Sequence, residues 1–271
     1  MKMEYKFGFI GTGNMGGALA RAVSEKIDPE EILLSNRTPQ KAQALADELG
    51  CVAGSNSEVA KSCRFIFLGV KPQGMAELAK EIAPVLGARS DRFVLITMAA
   101  GLSADKISEL FGGNIPVIRI MPNTPVAIGE GMILYTSNAA VTEAELCEFT
   151  DALEYAGISD RTDEALIDAA SVISGCGPAF MFMFVEAMEK AGISLGLLQE
   201  KARLYAAQTM LGAAGLVLSS NESPNELKIK VCSPGGTTIE GVRSFEASGL
   251  EKTVLDAVNS SYKRTLELAG K

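Results

Sequence analysis

The run Phe7-Gly8-Phe9-Ile10-Gly11-Thr12-Gly13-Asn14-Met15-Gly16 decides the fold. Apolar residues from Tyr5 to Ile10 read as a buried strand, and they pass directly into a G-x-G-x-x-G loop that opens a helix expected near 14–26. Each glycine serves a separate physical need. Gly11 permits the tight turn, Gly13 lets the main chain approach a pyrophosphate, and Gly16 allows the helix to pack closely on the strand. The free N–H groups and dipole at the helix start attract the anion. A structural turn with no ligand is the bland alternative.

About twenty residues further on, a dinucleotide site that prefers NAD would place a carboxylate on the ribose 2′-hydroxyl. The segment here is Leu34-Ser35-Asn36-Arg37-Thr38, which contains none. Ser35, Asn36 and Thr38 offer neutral donors and Arg37 a planar cation, the chemistry that a 2′-phosphate wants. NADPH is therefore favoured over NADH, unless Arg37 only solvates its loop.

The same alternation continues outward. Strands are expected near 5–10, 31–35, 65–70, 93–97, 116–120 and 131–136, with helices near 14–26, 39–49, 56–62, 73–83, 103–111 and 142–156. Thr38-Pro39 reads as an N-cap followed by proline at the first helical position, and Ser103 as another cap. This is an α/β pattern of stacked βα units on a mostly parallel sheet. Ligands of such sheets bind at the strands' carboxyl ends, which brings forward Gly69-Val70-Lys71-Pro72, Met98-Ala99-Ala100 and the rigid loop Met121-Pro122-Asn123-Thr124-Pro125. Lys71 is read as a cofactor contact rather than a proton donor.

Beyond Asp160 the pattern becomes all helical, interrupted at Ser174 to Pro178, Gly192, Ser220 to Pro224 and Ser233 to Gly236. Two domains are expected, 1–160 and 161–271. Phe180 to Val185 and Leu204 to Leu218 are apolar around the helix, and roughly 110 residues cannot bury several such helices alone. An intimate homo-oligomer follows, with a monomeric bundle as the alternative. Leu204 to Leu218 is too short to span a bilayer and is read as a buried helix.

Bulk properties narrow the function. A net charge of −8 disfavours nucleic acid, and 47% hydrophobic with 21% charged residues suits a soluble globular chain. Five scattered cysteines without a C-x-x-C pair suggest reduced thiols in a cytoplasmic setting. Histidine is absent, which excludes an imidazole base and histidine metal ligands.

The second domain's informative stretch is Val231-Cys232-Ser233-Pro234-Gly235-Gly236-Thr237-Thr238-Ile239-Glu240. It reads as a glycine turn opening a helix, with N–H groups of Gly236, Thr237 and Thr238 converging on a carboxylate. An ordinary helix start is the alternative. This loop, with Leu227, Val231, Gly241 and Leu250 around it, resembles the signature of pyrroline-5-carboxylate reductases. Met121 to Pro125, Val70-Lys71-Pro72 and Ser174-Gly175-Cys176-Gly177-Pro178-Ala179 extend the resemblance in the right order.

The resemblance implies an N-terminal Rossmann domain, a C-terminal all-α dimerisation domain, and often a ring of dimers such as a decamer. It implies NADPH contacts at Ile10, Gly11, Thr12, Gly13, Asn14, Met15, Ser35, Asn36, Arg37, Asn56, Gly69, Val70, Lys71, Pro72, Met98, Ala99 and Ala100. Glu164, Ser233, Gly236, Thr237 and Thr238 would hold Δ1-pyrroline-5-carboxylate, with the Thr238 hydroxyl on the ring nitrogen during reduction to L-proline. Glu164 reads from the residues alone as a helix-dipole carboxylate. Two positions depart from the family: Cys176, where serine is commoner, and Lys230, where a small or amide residue is usual. A β-hydroxyacid dehydrogenase is the nearest rival, but it needs a lysine that the stretch Gly175 to Phe182 lacks. A non-catalytic NADPH sensor would not need the Gly236 loop.

Overall fold

Apolar strands that alternate their side chains build the sheet. In the computed structural model, which describes residues 4–268, β1 (Tyr5–Ile10) lies between β2 (Ile32–Ser35) and β4 (Cys63–Leu68), and β3 (Val52–Ala53) pairs with β2. β5 (Val94–Thr97), β6 (Val117–Pro122), β7 (Gly131–Ser137) and β8 (Gly157–Arg161) complete an eight-stranded sheet of order β3-β2-β1-β4-β5-β6-β7-β8. All neighbours are parallel except β6 and β7. Phe7, Phe9, Phe65 and Phe67 point to one face, where Phe9 stacks on Phe67 with ring centroids 4.4 Å apart, while Ile10, Ile66 and Leu68 enter the core on the other. Both faces are covered, which is why these strands read as continuous apolar runs.

Helices α1 (Asn14–Ser24), α2 (Pro39–Leu49), α3 (Asn56–Ser62), α4 (Met75–Gly87), α5 (Ala104–Leu110) and α6 (Glu143–Ala152) connect the strands. Ser103 caps α5 by accepting from the Lys106 N–H at 3.1 Å. Thr38 precedes α2 but its side chain makes no cap bond; its own N–H donates to Asn36 Oδ1 instead. Three departures have simple causes. β3 has too few residues to leave a pattern, and β8 is an edge strand whose Ser159, Asp160 and Arg161 hide its periodicity. Helix α4 runs through Pro84, since a proline near a helix end gives up little hydrogen bonding.

The described residues divide into two compact units. The first runs to Cys176 and includes residues 262–268; the second is Gly177–Ser261. In the first, α7 (Ile167–Ser171) leads into a π-helix at Val172–Cys176, so Ser174 to Cys176 does not break the chain as its composition suggests. In the second, α8 (Gly177–Ser194) and α9 (Gln199–Ser219) pack closely where Gly192 meets Ala202 and where Arg203 donates twice to Glu189, at 2.9 and 3.0 Å. α10 (Pro224–Lys230) and α11 (Thr237–Ala247) follow, and then α12 (Leu250–Leu268), which belongs to this unit as far as Ser261. Large side chains stand in the open on α8 and α9, among them Phe182 at 67%, Met183 at 69% and Leu218 at 77% exposure. That surface is what the all-round apolar helices require a partner to cover.

Candidate dinucleotide and substrate sites

The order β2-β1-β4 places a topological switch point over the carboxyl ends of β1 and β4, and the glycine loop sits there. Gly11 has φ +98°, and a Cβ on it would come within 2.6 Å of the Gly69 carbonyl oxygen. Both residues are tied down: Gly11 N–H donates to Ser35 O and Gly69 N–H to Ile10 O. A Cβ on Gly16 would lie 2.1 Å from the Gly11 carbonyl oxygen. These two glycines are required by the protein itself. Gly13 differs, because a Cβ there would meet no atom within 4 Å. No contact among the described residues requires glycine at this position. It is also the N-cap of α1 with no side-chain cap bond, so the first amides of the helix remain available to an anion.

Beside this loop runs a groove of about 1080 Å³. Of the residues implied for the cofactor, Ile10, Gly11, Thr12, Gly13, Asn14, Asn36, Arg37, Asn56, Gly69, Val70 and Lys71 line it. Met15 packs on the core instead, and Pro72 starts a short 3-10 turn. Met98, Ala99 and Ala100 follow β5 at the same edge of the sheet but outside the groove wall. Ser35 is buried; its hydroxyl donates to Asn56 Oδ1 at 2.5 Å, so it has no proton left for a phosphate. Asn36 donates to Thr12 Oγ1 at 2.9 Å and ties the end of β2 to the glycine loop. Arg37 and Thr38 face the groove, joined by Arg21 and Lys41, which sequence reading missed because they lie on helices α1 and α2 rather than in a motif. Arg21 is already paired bidentately with Glu48, leaving Arg37, Lys41 and Lys71 as the groove cations without an ion pair among the described residues; of these Arg37 and Lys41 lie on the side of the groove that follows β2.

The second unit carries the loop before α11. Gly236 N–H donates to the Ser233 carbonyl at 3.0 Å across Pro234 and Gly235, and Gly235 has φ +72°. Proline then glycine at the two central positions is a type II turn. A Cβ on Gly236 would lie 2.5 Å from Ser233 Oγ and 3.1 Å from the Ser233 carbonyl oxygen, so a side chain there would have to turn the serine hydroxyl away. The Gly236 N–H is committed to the turn by its bond to the Ser233 carbonyl, which corrects the expected trio of donors. The amides of Thr237 and Thr238 start α11, where no side chain caps the helix, and the Thr238 hydroxyl makes no hydrogen bond among the described residues. Ser233, Thr237 and Thr238 are exposed.

Glu164 belongs to the first unit and is not among the groove residues. It follows β8, level with the start of β6, and accepts from Arg119 Nη1 at 2.6 Å. Arg119 is buried on β6 and is also paired with Asp168. No sequence period marks an arginine inside a strand as a core residue. Lys230, the departure near the end of α10, pairs with Glu222 at 2.6 Å.

A doubly covered, mostly parallel sheet, with an anion-ready glycine loop at its switch point and no carboxylate ending the second strand, defines a Rossmann-type oxidoreductase that uses NADPH. Comparison with known proteins is specific beyond that. Residues 164–268 match the family model for pyrroline-5-carboxylate reductase dimerisation, and residues 6–101 match a model described as coenzyme F420-dependent NADP oxidoreductase. The pyrroline-5-carboxylate reductase of Escherichia coli K12 is 37% identical over 270 residues, 98% of this chain and 99% of its own. A Plasmodium falciparum pyrroline carboxylate reductase solved with NADP bound superposes with TM-score 0.87 at 31% identity, covering 99% and 100% of the two chains. The Coxiella burnetii pyrroline-5-carboxylate reductase gives 0.89 at 28% identity and 98% coverage of each. The chain belongs to the pyrroline-5-carboxylate reductase family. Dimerisation also accounts for its apolar helices. The run Ile167–Ser194 is long and apolar enough to cross a bilayer, yet it falls entirely within the dimerisation match.

Proposed function

We propose that this enzyme reduces Δ1-pyrroline-5-carboxylate to L-proline with NADPH, the last step of proline synthesis. The observation that carries the reading is the start of α11. Two main-chain donors and a hydroxyl without a partner among the described residues stand after a turn whose Gly235 has φ +72°, in a chain that matches these reductases over 98% of its length.

NADPH, when bound, supplies the hydride that adds to the imine carbon. The chain's own residues then hold the substrate and orient it. The Thr237 and Thr238 amides grip the substrate carboxylate, with Ser233 and Gly236 fixing the turn that aims them. The Thr238 hydroxyl hydrogen-bonds the ring nitrogen, where the proton resides once the double bond is reduced. Positioning of this kind needs no imidazole, which suits a chain without histidine. On the other unit, Gly13 admits the pyrophosphate, and Arg37 with Lys41 receives the 2′-phosphate. Ile10, Thr12, Asn14, Asn36, Asn56 and Gly69 to Lys71 shape the remaining wall. Met15, Ser35, Pro72, Met98, Ala99 and Ala100 support that wall from behind or beside it. Glu164 enters through the family resemblance, and its pairing with Arg119 supports an orienting role rather than proton transfer. We read the assembly as a homodimer at least, extended to a ring of dimers such as a decamer, in the cytoplasm.

The test is loss of NADPH absorbance on adding pyrroline-5-carboxylate to the purified protein. Turnover is expected, and Thr238→Ala should lower kcat by about 10-fold to 100-fold, the loss of one hydrogen bond to a charged group. No oxidation of NADPH, or a Thr238→Ala variant with wild-type turnover, would remove this reading.

A further inference from the structure

The nucleotide groove has an acidic side that phosphate binding does not explain. Glu77 and Glu81 are four residues apart on α4, so they share a helix face with Leu78, and all three line the groove. Carboxylates repel a 2′-phosphate, so they must face a different part of the ligand.

Glu81 is held in place. Its Oε2 accepts from Asn56 Nδ2 at 2.9 Å, while Asn56 Oδ1 accepts the Ser35 hydroxyl. An ionised carboxylate only accepts hydrogen bonds, so the Asn56 amide must turn its NH2 toward Glu81, and Ser35 must then be the donor to the amide oxygen. The relay starts from a buried serine and ends on a carboxylate whose Oε1 takes no hydrogen bond among the described residues.

The ligand's course along the groove says what meets that oxygen. The pyrophosphate lies at Gly13 and the phosphorylated ribose at the end of β2, beside Arg37. The base must continue past the ribose, between the apolar side chains of Val70 and Leu78 and toward Glu81 and Asn56. Adenine presents an exocyclic amine on its outer edge. Hypoxanthine presents a carbonyl oxygen in the same place.

We propose that Glu81 reads the adenine amine of NADPH and is the residue that selects an adenine dinucleotide in this groove. The inference rests on NADPH being the cofactor. The experiment compares NADPH with its hypoxanthine analogue, deamino-NADPH, by Kd from fluorescence titration in the absence of substrate and by KM in the pyrroline-5-carboxylate reduction assay. The wild-type enzyme should favour NADPH by about tenfold or more, because the analogue sets a carbonyl oxygen against a carboxylate. In Glu81→Gln the side-chain amide can donate to that oxygen or accept from the amine, so the preference should fall to within about threefold. Ser35→Ala frees Asn56 but keeps the carboxylate; it should raise both KM values together and preserve the ratio. Equal use of the two nucleotides by the wild-type enzyme overturns the proposal, as does an unchanged ratio in Glu81→Gln or a ratio that collapses in Ser35→Ala. Binding of neither nucleotide would overturn the cofactor reading as well.

Discussion

Replacing Gly13 by alanine should separate cofactor binding from folding. A methyl group at this position meets no protein atom within 4 Å, and the residue has φ −73°, which alanine adopts freely. At a helix N-cap, glycine to alanine costs roughly 1 kcal/mol, and the stiffer unfolded chain returns about 0.4–1 kcal/mol. Stability should therefore stay within about 0.5 kcal/mol of the parent. The nucleotide would feel the methyl directly. Displacing the pyrophosphate from even one charge-assisted amide bond costs roughly 1.5–3 kcal/mol, which corresponds to about a 10-fold to 150-fold rise in Kd. Gly11→Ala is the contrasting variant. With φ +98° and the Gly69 carbonyl oxygen 2.6 Å from the new Cβ, it should lose stability first. Fluorescence titration with NADPH and thermal melting of both variants make the measurement. A Gly13→Ala protein that binds NADPH as tightly as the parent, or that unfolds as readily as Gly11→Ala, would show that the glycine loop does not hold the pyrophosphate.

Other expectations are as direct. Arg37→Ala should lower the preference for NADPH over NADH by about 10-fold or more if the proposed charge-assisted contact to the 2′-phosphate is made; an unchanged ratio of kcat/KM values would assign that contact elsewhere. Arg92, donating at 2.8 Å, holds the nearly buried Glu145 carboxyl at about 2, against an ordinary 4.5, with help from the Thr142 cap. Because the folded value is the lower one, this stabilisation is complete above about pH 4.5 and is lost as pH falls toward 2. It amounts to roughly 2–3 kcal/mol once the half-exposed arginine is screened. Arg92→Ala should flatten the fall in urea-derived stability between pH 5 and 3, and parallel curves would reject the pair. Burial pushes the Cys63 thiol up to about 12 and Cys51 to about 11, whereas Cys147 is exposed. A disulfide reagent should modify Cys147 first and leave Cys63 silent until the protein unfolds; rapid loss of the Cys63 thiol in the folded protein would contradict its place under α3 and α4.

Local rules made much of the molecule legible. The glycine loop, the strand at Tyr5 to Ile10, the cap at Ser103 and the turn at Pro234-Gly235 depend on φ preferences and neighbours a few residues away, which a sequence displays openly. So does the lack of a carboxylate after β2. The edge strand β8 and the two-residue β3 were hidden, because a strand with one exposed side or too few residues has no period to read.

Contacts between distant segments depend on strand order, and these only the tertiary structure decided. Gly69 became a glycine requirement because β4 lies beside β1 and sets two backbones in contact. Arg119 became a core residue because the chain after β8 supplies Glu164 and Asp168 to neutralise it. The Ser35 proton was assigned to Asn56, and Asn56 to Glu81, across separations of 21 and 25 residues. The amino-acid sequence by itself determined where the chain could turn, cap and alternate, since those choices are local free energies. Which side chains share a proton or bury a charge follows from packing, and hydrophobic periodicity carries no record of that.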